Sequence, residues 1–182
     1  MRLKVPKGHR VRPTQERVKE AIFNILVSRF LLRDIQVLDL FAGSGSLGIE
    51  ALSRGAKGAV FVEPNPVARK ALADNLRISR LRSRGRIIRA TVLYGLRLVE
   101  EEGTRFGGVF LDPPYGQGWI NKVLPILARS PILEEEAWVV AEHGGQERVA
   151  DSYPPLVLTD RRHYGTTWVS FYVRQPKSEE PT

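Results

Sequence analysis

Asp112-Pro113-Pro114-Tyr115 follows the apolar run Gly108-Val109-Phe110-Leu111. Two consecutive prolines donate no backbone hydrogen bond, so the chain leaves a strand rigidly there and offers its carbonyls and the Asp112 carboxylate to the space beyond. A rigid set of acceptors suits an exocyclic amine on a nucleobase, which is a poor nucleophile because its lone pair is delocalised into the ring. Hydrogen bonds from its two N–H groups to Asp112 and a proline carbonyl localise that lone pair toward an electrophile, and Tyr115 supplies a ring on which an extruded base stacks. A proline-rich turn with a core tyrosine is the plainer alternative. Trp119, just beyond, reads either as a second stacking ring or as core.

Asp39-Leu40-Phe41-Ala42-Gly43-Ser44-Gly45-Ser46-Leu47-Gly48 joins a strand to a helix. Its glycines permit a tight turn and let the backbone close on a ligand beside the free N–H groups of a helix N-terminus. Such a turn serves several nucleotides, and Asp39 narrows the choice. A carboxylate inside an apolar strand is costly unless something pairs with it. A pyrophosphate would be repelled there, whereas S-adenosylmethionine brings a sulfonium and an ammonium. Glu63-Pro64 ends the next apolar run, Val60-Phe61-Val62, where a carboxylate takes both ribose hydroxyls of an adenosine cofactor. The expected cofactor contacts are Asp39, Phe41, Gly43, Ser44, Gly45, Glu63 and Pro64. A strand-end Asp capping its own turn and a Glu opening a helix are the structural alternatives.

The elements that must position these residues follow from periodicity. Val18, Ile22, Ile25 and Leu26 share one face of a helix over 15–29, with Thr14 as its N-cap behind Pro13. From Gln36 short apolar runs alternate with helical stretches: VLDLF, a helix over 46–54, AVFVE, a helix over 65–79, RIIRA, a short helix over 93–101, GVFLD and a helix near 119–129. The runs AWVVAEH, PLVLTDR and TWVSFYV follow, the last two joined by a turn at Tyr164-Gly165. This pattern predicts a doubly wound, Rossmann-like α/β fold: a seven-stranded, mostly parallel sheet closed by a C-terminal antiparallel hairpin. Ligands of such sheets bind at the C-terminal ends of the strands.

The chain of 182 residues is long enough for one core, carries a formal net charge of +8 and has no cysteine. Disulfides, thiol nucleophiles and Cys-ligated metals are thereby excluded, and three scattered histidines give no expectation of a metal site. No apolar run approaches a membrane span or a secretory signal, so the expected setting is the cytoplasm, as a monomer. The basic excess is concentrated in residues 1–19 and 77–89. Arginine binds phosphate bidentately and stacks on bases, so Arg10, Arg12, Arg17, Arg82, Arg84 and Arg86 are candidate RNA contacts; a solvated basic face is the alternative.

Phe41-Ala42-Gly43-Ser44-Gly45 together with Asp112-Pro113-Pro114-Tyr115 resembles the amino-group class of S-adenosylmethionine-dependent methyltransferases. Arg12-Pro13-Thr14, the run Arg17 to Asn24, the run Leu38 to Ala56, Tyr164-Gly165-Thr166-Thr167 and Phe171-Tyr172 resemble more narrowly the RsmD-type bacterial 16S rRNA guanine-N2 methyltransferases. The similarity runs from about residue 10 to 174. It implies methylation of a guanine N2 in 16S rRNA, as RNA or as a small-subunit ribonucleoprotein particle. The chain is expected to divide into a basic extension over 1–14, a methyltransferase domain over 15–174 and a tail over 175–182, QPKSEEPT, whose composition reads as disordered. Thr91 stands where the family usually carries an acid or amide toward the adenine amino group. DNA or RNA adenine-N6 methyltransferases share both central motifs and are the alternative class, although a target-recognition insertion has no room here. A dinucleotide oxidoreductase lacks a use for Asp39, and a non-catalytic RNA-binding module lacks a use for the proline turn.

Overall fold

The computed structural model describes residues 13–30 and 32–176, and the side chains from residue 15 onward. The expected contacts at Arg10 and Arg12, most of the basic extension and residues 177–182 lie outside that range. Helix α1 spans Pro13–Arg29. Thr14 therefore belongs to its first turn and is not the residue that caps it. Strand β1 (Gln36–Asp39) leads to α2 (Ser46–Ser53), β2 (Gly58–Val62) to α3 (Pro66–Ile78), β3 (Gly85–Ile88) to α4 (Val92–Glu101), and β4 (Phe106–Leu111) to α5 (Trp119–Arg129). Strands β5 (Leu133–Gly144), β6 (Ser152–Tyr153), β7 (Leu156–Tyr164) and β8 (Thr167–Arg174) complete the chain.

One sheet holds all eight strands in the order β3-β2-β1-β4-β5-β8-β7-β6. The first five run parallel, and β8 pairs antiparallel with both β5 and β7. The strand beyond the expected seven is β6, two residues whose only ladder is with Val157 and Leu156; so short a run carries no periodicity to read. Beside it, in the connection from β6 to β7, the Pro155 carbonyl accepts the Gln175 amide at 2.9 Å.

Alternation along the strands divides the core into two layers. On one face Val37, Phe61, Phe110, Trp138 and Val140 pack with Ile22, Phe23 and Leu26 of α1, Leu47 and Leu52 of α2, and Leu72 and Leu76 of α3. On the other, Leu38, Val62, Val109, Leu111 and Val139 pack with Leu96 and Val99 of α4 and Val123, Leu124 and Leu127 of α5. Phe110 lies 5.7 Å from Phe23 and 5.0 Å from Trp138 between ring centroids, which ties α1 to the centre of the sheet. Losing a fully buried aromatic of this kind costs about 3–5 kcal/mol. The chain crosses from β3 over to β4, so the strand order reverses between β1 and β4. A crevice opens at such a switch point, above the C-terminal strand ends.

Candidate active site

The glycine turn lies between β1 and α2, at that reversal. Gly43 and Gly45 have φ of +53° and +86°, which residues with a side chain seldom adopt. A Cβ on Gly45 would stand 2.3 Å from Leu72 Cδ1, whereas one on Gly43 would meet nothing within 4 Å. The turn is therefore packed from below by α3 and open above Gly43. Three contacts fix it: Gly45 donates to the Ala42 carbonyl at 2.7 Å, Ala42 to the Val62 carbonyl at 3.2 Å, and Asn75 Nδ2 to the Ser44 carbonyl at 3.0 Å. Asn75 is fully buried on α3; sequence reading passed over it because one polar residue in an amphipathic helix carries no signal.

Two expected cofactor carboxylates converge on this turn. Asp39 is 2% exposed and accepts the Gly48 amide at 3.2 Å, near the N-terminus of α2. Burial pushes its carboxyl up to about 7; the amides of Gly48 and Phe41 oppose that shift, and the charges of Asp112 and Glu63 add to it. A cation arriving above the turn relieves that penalty. Glu63 accepts the Gly43 amide at 2.8 Å through Oε2 and the Asn65 amide at 2.7 Å through Oε1. Each oxygen keeps a lone pair for a hydroxyl. Asn65 then caps α3, accepting from Val67 and Ala68 at 2.8 and 3.1 Å. Pro64 is exposed, and its carbonyl accepts from Arg69 Nη1. Thr91 caps α4 without using its hydroxyl. Phe41 meets Trp119 edge-on at 5.9 Å, and Lys122 lies over the Trp119 ring at 5.2 Å. Trp119 is thus covered on that side.

Directly after β4, Pro113 is buried while Asp112, Pro114 and Tyr115 are exposed. Tyr115 is 44% exposed, and its hydroxyl bonds Thr167 Oγ1 at 3.0 Å. Surrounding protein pushes that hydroxyl's pKa up to about 12, so it stays protonated. The ring lies beside Gly144, whose missing side chain would come within 3.7 Å of it. Gly116 donates to Glu147 Oε1 at 2.8 Å. The acceptor turn is thereby braced from β8 and from the loop after β5. Thr167 and Glu147 were not legible as site residues, because long-range pairing alone brings them here.

Asp112 opens onto the crevice, yet the protein packed around it pushes its carboxyl up to about 6. Its neighbour is Glu142 on β5, whose carboxyl is raised well above the ordinary range by burial and by the charges of Asp112 and Asp39. Asp39, Asp112 and Glu142 thus form a row of acids across β1, β4 and β5. Glu142 was missed in the sequence although it shows the signal that marked Asp39, an acid interrupting an apolar strand. Among the described residues no group of three or more His, Asp or Glu is arranged to hold a metal ion, and no helix is long and apolar enough to cross a membrane.

The expected RNA-binding arginines divide differently. Arg17 is exposed on α1, whose N-terminal half reaches the crevice side: Lys19 Nζ donates to Ser46 Oγ at 3.2 Å. Arg82 and Arg84 lie in a 3-10 turn preceding β3, at the opposite end of the parallel sheet. Four residues of strand, about 13 Å, separate the two ends of β3. Arg84 donates to the Leu52 and Ala56 carbonyls at 3.0 and 3.2 Å, closing the C-terminus of α2, and Arg82 donates to the Gly85 carbonyl at 3.1 Å. Arg86 forms a bidentate pair with Glu102 at 2.5 and 2.6 Å. A run of like charges in sequence does not show which side chains have partners of their own, and these three do.

A family model described as "Conserved hypothetical protein 95" matches residues 1–173. The chain belongs to this family, that of the RsmD-type methyltransferases. "Putative rRNA methyltransferase YlbH" of Bacillus subtilis is 36% identical over 173 residues, 95% of this chain and 93% of that protein. "Ribosomal RNA small subunit methyltransferase D" of Escherichia coli is 35% identical over 141 residues, covering 78% and 68% respectively. A solved structure described as a putative methyltransferase, yhhF, from Escherichia coli superposes with a TM-score of 0.82 at 32% identity, covering 95% of this chain and 91% of that one.

Proposed function

We propose that this RsmD-type protein transfers a methyl group from S-adenosylmethionine to the exocyclic N2 of a guanine in small-subunit ribosomal RNA. The observation that carries this reading is the acceptor turn Asp112 to Tyr115, open to the crevice beside the glycine turn and Asp39. The relatives' names support the RNA class, and the motif resemblance supports the guanine amine. Asp39, Gly43, Gly45 and Glu63 would hold the cofactor, with Thr91 toward the adenine. S-adenosylmethionine, when bound, supplies a methyl group on a positively charged sulfur.

The chain's own residues do the rest. Tyr115 stacks on the base and keeps its ring in place through Thr167. Asp112 and the Pro113 carbonyl accept the two amine hydrogens, which turns the nitrogen lone pair out of the purine plane. As the new N–C bond forms, the N–H groups become more acidic and those hydrogen bonds strengthen, so they favour the transition state over the bound substrate. Asp112 then takes one amine proton and releases it to solvent. A carboxyl titrating near 6 is a better proton acceptor than an ordinary aspartate.

The test is transfer of labelled methyl from S-adenosylmethionine into small-subunit RNA, as naked RNA and as ribonucleoprotein particles, by the wild-type protein and by Asp112→Ala. Labelling that depends on Asp112 supports the proposal. Equal labelling by the variant removes the acceptor turn from the mechanism.

A further inference from the structure

Glu142 is an acid that this mechanism leaves unused. The register pairs Leu111, the last residue of β4, with Ala141 of β5, so Asp112 leaves the strand end beside Glu142, the next residue of β5, on strands spaced about 4.8 Å apart. Trp138 and Val140 point into the layer beneath α1 and α2, and alternation puts Glu142 on that same side. Phe110 does likewise for Asp112. The residues assigned to the cofactor lie on or after β1, β2 and β3. In the order β3-β2-β1-β4-β5, Glu142 therefore flanks Asp112 on the side away from them. That side belongs to the incoming base, and Tyr115, held against Gly144, bounds it. No described residue donates a hydrogen bond to the Glu142 carboxylate, although it is half-buried.

Beside its N2 amine, guanine carries a second donor, N1–H. Adenine carries an acceptor, N1, beside its N6 amine. With Asp112 and the Pro113 carbonyl taking the two amine hydrogens, a second carboxylate next to Asp112 meets whatever stands at N1. We propose that Glu142 accepts the N1–H of the target guanine and so sets the preference for guanine over adenine. This rests on the guanine-N2 reading given above. Burial and the neighbouring acids favour a proton on Glu142 in the free protein, whereas an N–H pointing at it favours the ionised form. The ionised carboxylate attracts the donor of the correct base and repels the acceptor of the wrong one, so the preference for guanine should strengthen as pH rises.

2-Aminopurine separates the two contacts, since it keeps the exocyclic N2 amine but has no hydrogen on N1. Small-subunit RNA fragments carrying guanosine or 2-aminopurine at the methylated position are compared by kcat/KM, with wild-type protein and with Glu142→Gln. The wild type should prefer guanosine by about 10- to 100-fold, the worth of one hydrogen bond to a charged acceptor. Glu142→Gln, whose amide offers either an oxygen or an N–H, should bring the two substrates within about threefold of each other. A wild-type ratio near one overturns the assignment without recourse to any variant. So does an undiminished ratio in Glu142→Gln with both rates lowered together, which is the signature of a structural role. If the wild type forms N6-methyladenosine and no N2-methylguanosine, the guanine reading itself has failed and this proposal with it. N2-methylguanosine formed without discrimination overturns the Glu142 assignment alone.

Discussion

The Glu63 carboxylate holds the Gly43 amide at 2.8 Å, so the end of β2 and the glycine turn after β1 form one unit. The residue expected to bind ribose hydroxyls also fixes the turn over which the cofactor is proposed to lie. Glu63→Ala should therefore lose both roles. Cofactor affinity, measured by calorimetry, should weaken roughly 10- to 100-fold, about 1.5–3 kcal/mol. The melting temperature should fall as well, because two amides lose their acceptor. Unchanged affinity would remove Glu63 from the cofactor site.

Asp112→Asn keeps the shape of the acceptor turn and removes its charge. Turnover should drop about 10²- to 10³-fold by analogy with the loss of one oxyanion-hole donor, while cofactor affinity changes little. The carboxyl titrates near 6 and must be ionised to accept the amine hydrogen. Wild-type kcat/KM should accordingly fall as pH drops through about 6. A flat profile from pH 5 to 8 would contradict that role.

Asp39 makes a prediction about stability. Its carboxyl titrates at about 7 in the folded chain against an ordinary value of 3.8. Between those values the folded state holds a proton that the unfolded state has lost, so stability falls as pH rises through that window and levels off above it. The cost above pH 7 is on the order of a few kcal/mol. Asp39→Asn, free of cofactor, should melt above the wild type at pH 8, and the gap should close toward pH 4. A gap independent of pH would mean that the burial penalty is not felt.

Arg84 sits in the expected RNA-binding run, but its guanidinium closes the C-terminus of α2 through Leu52 and Ala56. Arg84→Ala should lower stability by about 1–3 kcal/mol. The salt dependence of RNA binding should change by less than the roughly 0.7–0.9 unit of slope that one phosphate contact contributes. A full unit lost at unchanged stability would restore Arg84 to the RNA interface.

Most of the fold was legible because its signals are local. Apolar runs alternating with helical stretches gave the parallel strands, and Tyr164-Gly165 gave the closing hairpin. The glycine turn and the proline turn were likewise readable, each being a contiguous run with its own backbone chemistry. What escaped depends on pairing across the sheet. Thr167 reaches Tyr115 only because β8 lies beside β5, and Glu147 reaches Gly116 only through the loop that follows β5. Glu142 had a local signal, but its meaning comes from the β4–β5 register. The partners of the arginine run were illegible for the converse reason: charge is visible in sequence, whereas the carbonyls and the carboxylate that engage it are not.

The identity of the methylated nucleoside tests the central claim most directly. Small-subunit RNA from cells lacking this protein, incubated with the purified chain and isotopically labelled S-adenosylmethionine, is digested and its nucleosides are resolved by mass spectrometry. Label in N2-methylguanosine is the predicted result. Label in N6-methyladenosine, or in no base at all, would contradict it.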